Sequence, residues 1–290
     1  MTPRQRFAAA IAGGEMVVAP GCYDAMTAKL IERAGFAACY MTGAGTAAAH
    51  GLPDYGLLTM TEMVANAARI AGAVDIPVIA DADTGFGNEL NVTRAMQEYE
   101  RAGVAAIHIE DQGFPKKCGH LDGKVIVPAP EWLAKIRAAA AARQDPDFRI
   151  IARTDANADL GFEEAVARAN AALAAGADIA FVEAPKTPEE VAAVPRRVKG
   201  PCLFNLVVRG KSPPVELRGL AEAGYALTIL PDVLWREMVG AAEGVLAHLA
   251  AGALPDQASG LTVRELFDRV GAEDWDRLRD AFAEPARAAE

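Results

Sequence analysis

Eight times along the 290-residue chain a short apolar run, often rich in β-branched residues, gives way to a helical pattern. This alternation constrains the fold more than any other feature. The runs are Met16–Ala19, Cys39–Met41, Val78–Ala80, Ile107–Ile109, Ile150–Ala152, Ile179–Val182, Cys202–Phe204 and Leu227–Leu230. Between them, apolar residues spaced i, i+3, i+4 predict helices over Met60–Ala71, Leu90–Ala102, Glu131–Ala142, Phe162–Ala175 and Val233–Leu249. Gly35, Gly103, Gly176 and Gly224 stand where helices of this kind stop. The runs are continuously apolar rather than alternating, the pattern of a parallel sheet covered on both faces. Six of the eight lead straight into Thr42, Asp81, Glu110, Arg153, Glu183 and Asn205. A closed barrel opens all its strand ends on one catalytic face, whereas an open sheet gathers its site at one switch point. The predicted fold is therefore α/β, a (β/α)8 TIM-type barrel over 1–252. A linker and C-terminal helices follow over 253–290, with helices at Thr262–Val270 and Asp274–Ala289 packed on the barrel or on a neighbouring subunit.

Composition agrees with one large domain. A barrel takes ~250 residues, and a hydrophobic content of 52% supplies its core. The net charge of −10 argues against a nucleic-acid or anionic-lipid surface, and obliges any anionic substrate to be drawn in by local cations or a metal. No run approaches the ~20 apolar residues of a membrane helix. Cys22, Cys39, Cys118 and Cys202 form no CxxC pair, and no signal peptide is evident. The expectation is a soluble protein of the reducing cytoplasm.

Three stretches carry chemistry. In Asp81-Ala82-Asp83-Thr84-Gly85-Phe86-Gly87, two carboxylates two residues apart on an extended segment would face the same side. That suits a hard cation such as Mg2+. Glu110, ending the next strand, would join them, and three adjacent carboxylates repel unless a cation lies among them. An Asx turn capping the next helix is the alternative. In Lys116-Lys117-Cys118-Gly119-His120, a thiol with cationic neighbours can donate a proton or act as a nucleophile. Taken alone, the stretch reads equally as a solvated basic loop. Thr42-Gly43-Ala44-Gly45 matches a dinucleotide fingerprint only weakly, because no acidic strand end follows at ~20 residues. It reads instead as a backbone-amide nest for a carboxylate or phosphate. Arg153 offers a planar fork to a carboxylate, or a salt bridge to Glu183. Asp54 is either a turn residue or metal support, and His108, within a strand, reads as a core histidine.

Taken in order, Tyr40–Gly45, Gly51–Asp54, Asp81–Gly87, His108–Gln112, Lys116–His120, Ala152–Ala156 and Glu183-Ala184 resemble the isocitrate lyase / phosphoenolpyruvate mutase superfamily over roughly residues 1–250. The Lys-Lys-Cys-Gly-His loop is similar to that of the short branch, which contains 2-methylisocitrate lyase, 2,3-dimethylmalate lyase and oxaloacetate hydrolase. The resemblance implies Mg2+, or Mn2+ in its place, near Asp81, Asp83 and Glu110, with Asp54 in the outer shell. It places Thr42, Gly43 and Ala44 on a substrate carboxylate, with Gly119, Arg153 and Asn205 also in contact. Cys118 is then the general acid on a mobile loop, tuned by Lys117 and His120. Arg153 stabilises developing charge, and Glu183 or Asp54 acts as base. The implied reaction is cleavage of a 2-hydroxy di- or tricarboxylate to a 2-oxo acid and a carboxylate. Oxaloacetate hydrolysis or decarboxylation is the first alternative, and phosphonopyruvate-type chemistry the second. The resemblance also implies a homotetramer with exchanged C-terminal helices. Two segments depart from the methylisocitrate pattern. Thr42 replaces a Ser, and Val207 and Val208 replace a Thr and an acidic residue, which favours a smaller or more apolar acid such as a substituted malate. Arg209 is a candidate for a second anion contact.

Overall fold

In the computed structural model, which describes residues 1–119, 121, 123–255 and 259–283, eight parallel strands close into one barrel in chain order. They are β1 (Val17–Cys22), β2 (Cys39–Met41), β3 (Val78–Asp81), β4 (Ala106–Glu110), β5 (Arg149–Thr154), β6 (Ile179–Val182), β7 (Cys202–Asn205) and β8 (Leu227–Leu230). All eight predicted runs are strands, and the closed barrel is the predicted architecture. The helices before β5 are α1 (Pro3–Ala12), α2 (Ala25–Arg33), α3 (Gly43–Ala49), α4 (Met60–Ala71), α5 (Glu89–Arg101) and α6 (Ala129–Ala142). Those after it are α7 (Phe162–Ala174), α8 (Pro188–Arg197), α9 (Leu217–Ala223), α10 (Val233–Ala250), α11 (Val263–Asp268) and α12 (Ala272–Ala281).

Local chemistry sets these limits. Thr59 and Glu62 form a capping box at the start of α4, as Asp24 and Thr27 do for α2. Gly103 and Gly176 follow α5 and α7 with φ of 88° and 111°, a region where a side chain would be strained. The segment read as a backbone-amide nest, from Thr42 to Gly45, opens a short helix, Gly43–Ala49, N-capped by the Thr42 hydroxyl. The helix predicted to run to Ala289 ends at Ala281, and residues 284–290 lie outside those described.

Alternation along the strands places the site. Ile79, Ala106, Ile151, Phe181 and Leu203 share one buried cluster, joined at the strand starts by Phe7 of α1. Side chains two residues further along each strand point the same way. Those positions hold Asp81, His108, Arg153, Glu183 and Asn205, with Glu110 two beyond His108. The apolar layer is therefore a floor, and the charged residues stand directly above it. A second cluster, with Tyr99, Trp132, Ile107 and Ile150, joins α4–α6 to the outside of β2–β5; a third joins α7–α9 to β6 and β7.

Two compact units divide the chain, Met1–Met238 and Val239–Glu290. The first contains the whole barrel. The second contains most of α10 and all of α11 and α12, and its apolar residues Val263, Leu266, Phe267, Trp275 and Leu278 are exposed. No helix of the described residues is long and apolar enough to cross a membrane.

Candidate active site

Parallel pairing sets Glu110 of β4 opposite Arg153 of β5. Arg153 is buried, with its guanidinium 5.1 Å from the Phe181 ring centroid. It donates to Asp155 through Nε (2.8 Å, to Oδ2) and Nη2 (3.2 Å, to Oδ1). Nε also lies 3.3 Å from Glu110 Oε2, and Nη2 lies 3.7 Å from Glu183 Oε2. Burial opposes the charge, but Asp155, Glu110 and Glu183 hold it firmly in place. Of the two sequence readings of Arg153, the pair with Glu183 is present, and the side chain also lines the cavity. Asn205 donates Nδ2 to both oxygens of Glu183, at 3.3 and 3.2 Å. Ala184, directly after Glu183, is held at φ 48°, the kind of strain that collects at functional sites.

The carboxylate cluster differs from its sequence reading. Asp83 does not continue an extended segment; its φ is 47°, and its N–H donates to Asp81 Oδ1 at 2.9 Å. This is an Asx turn, as in the alternative weighed from the sequence, but it redirects Asp83 towards Lys116 and the next helix is capped by Asn88. The Lys116 ammonium lies 2.8 Å from Asp83 Oδ1 and 2.5 Å from Asp54 Oδ1. Burial pushes Asp83 up to about 6 even against that ammonium. Burial also works against Asp81, but His108, Lys116 and Arg153 hold it down at about 2. Burial lowers His108 to about 4, so its ring is neutral, stacked on Tyr40 and hydrogen-bonded to the Tyr40 hydroxyl at 2.8 Å. Gly43 approaches so closely that a Cβ would lie 2.3 Å from Asp81 Oδ2. The Gly43 N–H donates to that oxygen at 3.2 Å, so this amide of the expected nest serves Asp81.

A divalent cation implied by the resemblance can be tested on these groups. Both Glu110 oxygens are buried and accept no hydrogen bond. Burial raises this carboxyl well above its usual range. A buried carboxylate without donors is what a hard cation satisfies. Among the described residues no three carboxylate, imidazole or thiol groups converge tightly enough to enclose a metal. A hard divalent cation can take one or two such carboxylates and complete its shell with waters.

The β4–α6 loop returns on itself. Gln112 and Ile126 form an antiparallel bridge, and the Gln112 amide exchanges two hydrogen bonds with the backbone of Lys117, at 2.8 and 3.1 Å. Cys118 and Gly119 come to the wall of a cavity of about 200 Å³. Asp54, Asp81, Thr42 and Ala44 line one side, and Arg153, Asn205 and Val207 another. Gly119 lies against the site so tightly that a Cβ would fall 2.2 Å from Arg153 Nη2 and 2.9 Å from the Glu183 carboxyl carbon. His120 lies outside the described residues. Four further lining residues were missed by sequence reasoning: Pro231, Asp232, Trp235 and Arg236. The one available signal was the Asp232/Arg236 spacing after the last strand, and these two do form an ion pair. Lys116 was read only as part of a basic loop.

A barrel whose strand ends gather buried carboxylates, a guanidinium and a thiol around a small cavity belongs to the class of barrel enzymes that handle small anions. The chain belongs to the phosphoenolpyruvate phosphomutase family, whose model matches residues 7–250. It is 54% identical over 218 residues to a 2,3-dimethylmalate lyase of Eubacterium barkeri, covering 75% of each chain. It is 45% identical over 278 residues to a 2-methylisocitrate lyase of Aeropyrum pernix, covering 95% of this chain and 89% of that one. Among solved structures, a 2,3-dimethylmalate lyase superposes with a TM-score of 0.93 at 38% identity, covering 100% of this chain and 99% of that one. An oxaloacetate acetylhydrolase bound to 3,3-difluorooxalacetate gives 0.94 at 34%, covering 98% of each. A phosphonopyruvate hydrolase complex with oxalate and Mg2+ gives 0.88 at 34%, covering 98% of this chain and 100% of that one.

Proposed function

We propose that this chain is a Mg2+-dependent carbon–carbon lyase of the cytoplasm. It cleaves a 2-hydroxy dicarboxylate of the dimethylmalate type into a 2-oxo acid and a shorter carboxylate. The observation that carries the reading is one cavity lined jointly by Cys118, Arg153 and Asn205, with Glu183 held between the last two. A thiol, a fixed guanidinium and a carboxylate are the groups needed to protonate a carbanion, hold an anion and take a hydroxyl proton. The small volume and the Val207 wall favour a methyl-substituted four-carbon acid over a tricarboxylate.

In this reading Glu183 takes the substrate hydroxyl proton. Asp54, the other candidate base, is instead committed to Lys116. As the C2–C3 bond breaks, its electron pair stays on the carbon next to the departing carboxylate. Arg153 stabilises the charge that collects there. Cys118 then delivers a proton to that carbon, assisted by Lys117 and His120. Thr42 and Ala44 seat the other carboxylate, and Gly119 closes the wall. Asp81, Asp83 and Glu110 would hold the cation, with Asp54 supporting them, and when bound it would polarise the hydroxyl and carboxylate oxygens. The exposed apolar residues of α11 and α12 support a homotetramer in which those helices pack on a neighbouring subunit. Sedimentation analysis tests that part separately, a monomer contradicting it.

The test is release of 2-oxo acid from 2,3-dimethylmalate, citramalate, 2-methylisocitrate, isocitrate and phosphonopyruvate, and of oxalate or pyruvate from oxaloacetate. Pyruvate from dimethylmalate, lost with EDTA and in Cys118→Ser, is the expected result. Turnover of oxaloacetate or phosphonopyruvate alone overturns the lyase reading.

A further inference from the structure

Lys124 is a buried lysine to which the chemistry above gives no role. Its ammonium reaches two groups. It donates to the Gly119 carbonyl, at the tip of its own loop, and to Asp155 Oδ1 at 2.8 Å. That oxygen also accepts from Arg153 Nη2, and the Gly119 backbone rests against the same guanidinium. The contacts close a ring: Lys124, Gly119, Arg153, Asp155 and back to Lys124. Asp155 is itself held, its N–H donating to Asp111 Oδ1 at 2.7 Å while Arg168 pairs with Asp111 at 3.1 Å.

We infer that Lys124 is a positioning residue that clamps Cys118 and Gly119 onto Arg153 through Asp155. One ammonium thereby sets both the placement of the thiol and the aim of the guanidinium. A charge-assisted bond from a nearly fully buried lysine is strong and directional, and without it the loop tip has lost its tie to β5.

Thiol labelling tests this. Cys22, Cys39 and Cys202 are buried, so alkylation by iodoacetamide, followed by peptide mass spectrometry at the high-pH plateau of the rate, reports on Cys118. In Lys124→Met the Cys118 rate rises at least about tenfold while the other three thiols stay protected; Asp155→Asn also raises it. An unchanged rate in Lys124→Met overturns the inference. So does simultaneous labelling of all four thiols, which would make Lys124 a general packing residue. A second arm rests on the lyase reading: kcat of Lys124→Met falls about 10²-fold, the usual effect of misplacing a reacting group by about 1 Å, with KM little changed. Lys124→Arg recovers part of it. A rise confined to KM overturns the positioning role. If no acid on the panel is turned over even by the wild type, the lyase reading fails while labelling still judges the clamp.

Discussion

The two ends of the barrel hold similar charged groups and use them differently. At the amino-terminal end, Arg4 of α1 pairs with Asp145 at 2.9 Å and donates to the backbone carbonyls of Val104 and Glu100. The Glu100 carboxylate accepts from the N–H groups of Gln144 and Asp145. Each of these charges has donors or acceptors to match. At the carboxyl end, Glu110 is left with two unsatisfied oxygens, Asn205 Oδ1 has no donor, and Asp83 and Ala184 hold positive φ. Identical chemistry closes the fold at one end and is kept incomplete at the other, where a ligand can complete it.

The sharpest way to break this contrast is Cys118→Ser. Turnover should fall by about 10³-fold or more with Tm unchanged, measured by oxo-acid release and calorimetry. Gly119→Ala comes next. Its methyl collides with Arg153, so kcat/KM should fall about 10²-fold while Tm moves little. Glu110→Gln should abolish the rise in Tm on adding Mg2+ and change Tm in EDTA little, because it removes a buried carboxylate whose oxygens accept no hydrogen bond and whose one close cation, Arg153, keeps Asp155. A Tm lowered in EDTA would show that Glu110 serves the fold. At the other end, Arg4→Ala should cost about 1–3 kcal/mol in urea unfolding and leave kcat intact. The smallest effect is a slope with pH. Burial and Asp155 raise Asp111 to about 6, above its unfolded value, so the native state binds that proton first. Its contribution to stability therefore improves as pH falls from 7 through 6 towards 4. Asp145 is held low by Arg4, so its contribution is lost only as pH drops below the ordinary carboxylate range. Asp111→Asn should flatten the first slope and spare the second.

What could be read in the sequence was local. Periodicity located every strand, because burial on both faces selects apolar runs whatever their neighbours. Strand-end polarity then pointed to Asp81, Glu110, Arg153, Glu183 and Asn205. The partners of Lys116 were hidden, since Asp54 and Asp83 lie far from it in the chain and only barrel closure unites them. The ring through Lys124 and Asp155 was hidden for the same reason. The Asx turn at Asp81 was foreseen only as an alternative, because an Asp-x-Asp segment is equally compatible with extended backbone. Trp235 gave no signal at all: an aromatic residue in an apolar helix reads as core.

One consequence concerns how such a site can diverge. Val207, Pro231 and Trp235 line the cavity from the ends of β7 and β8 and from α10, and none of them takes part in the ion pairs around Arg153. Exchanging them reshapes the space for the acid's substituents without touching Cys118, Glu110 or Arg153. On the proposed reading, substrate range can thus drift along one arc of the barrel while the arc of Cys118, Glu110 and Arg153 stays constant. Descendants of a single ancestral barrel can in this way come to consume different acids by the same bond-breaking steps.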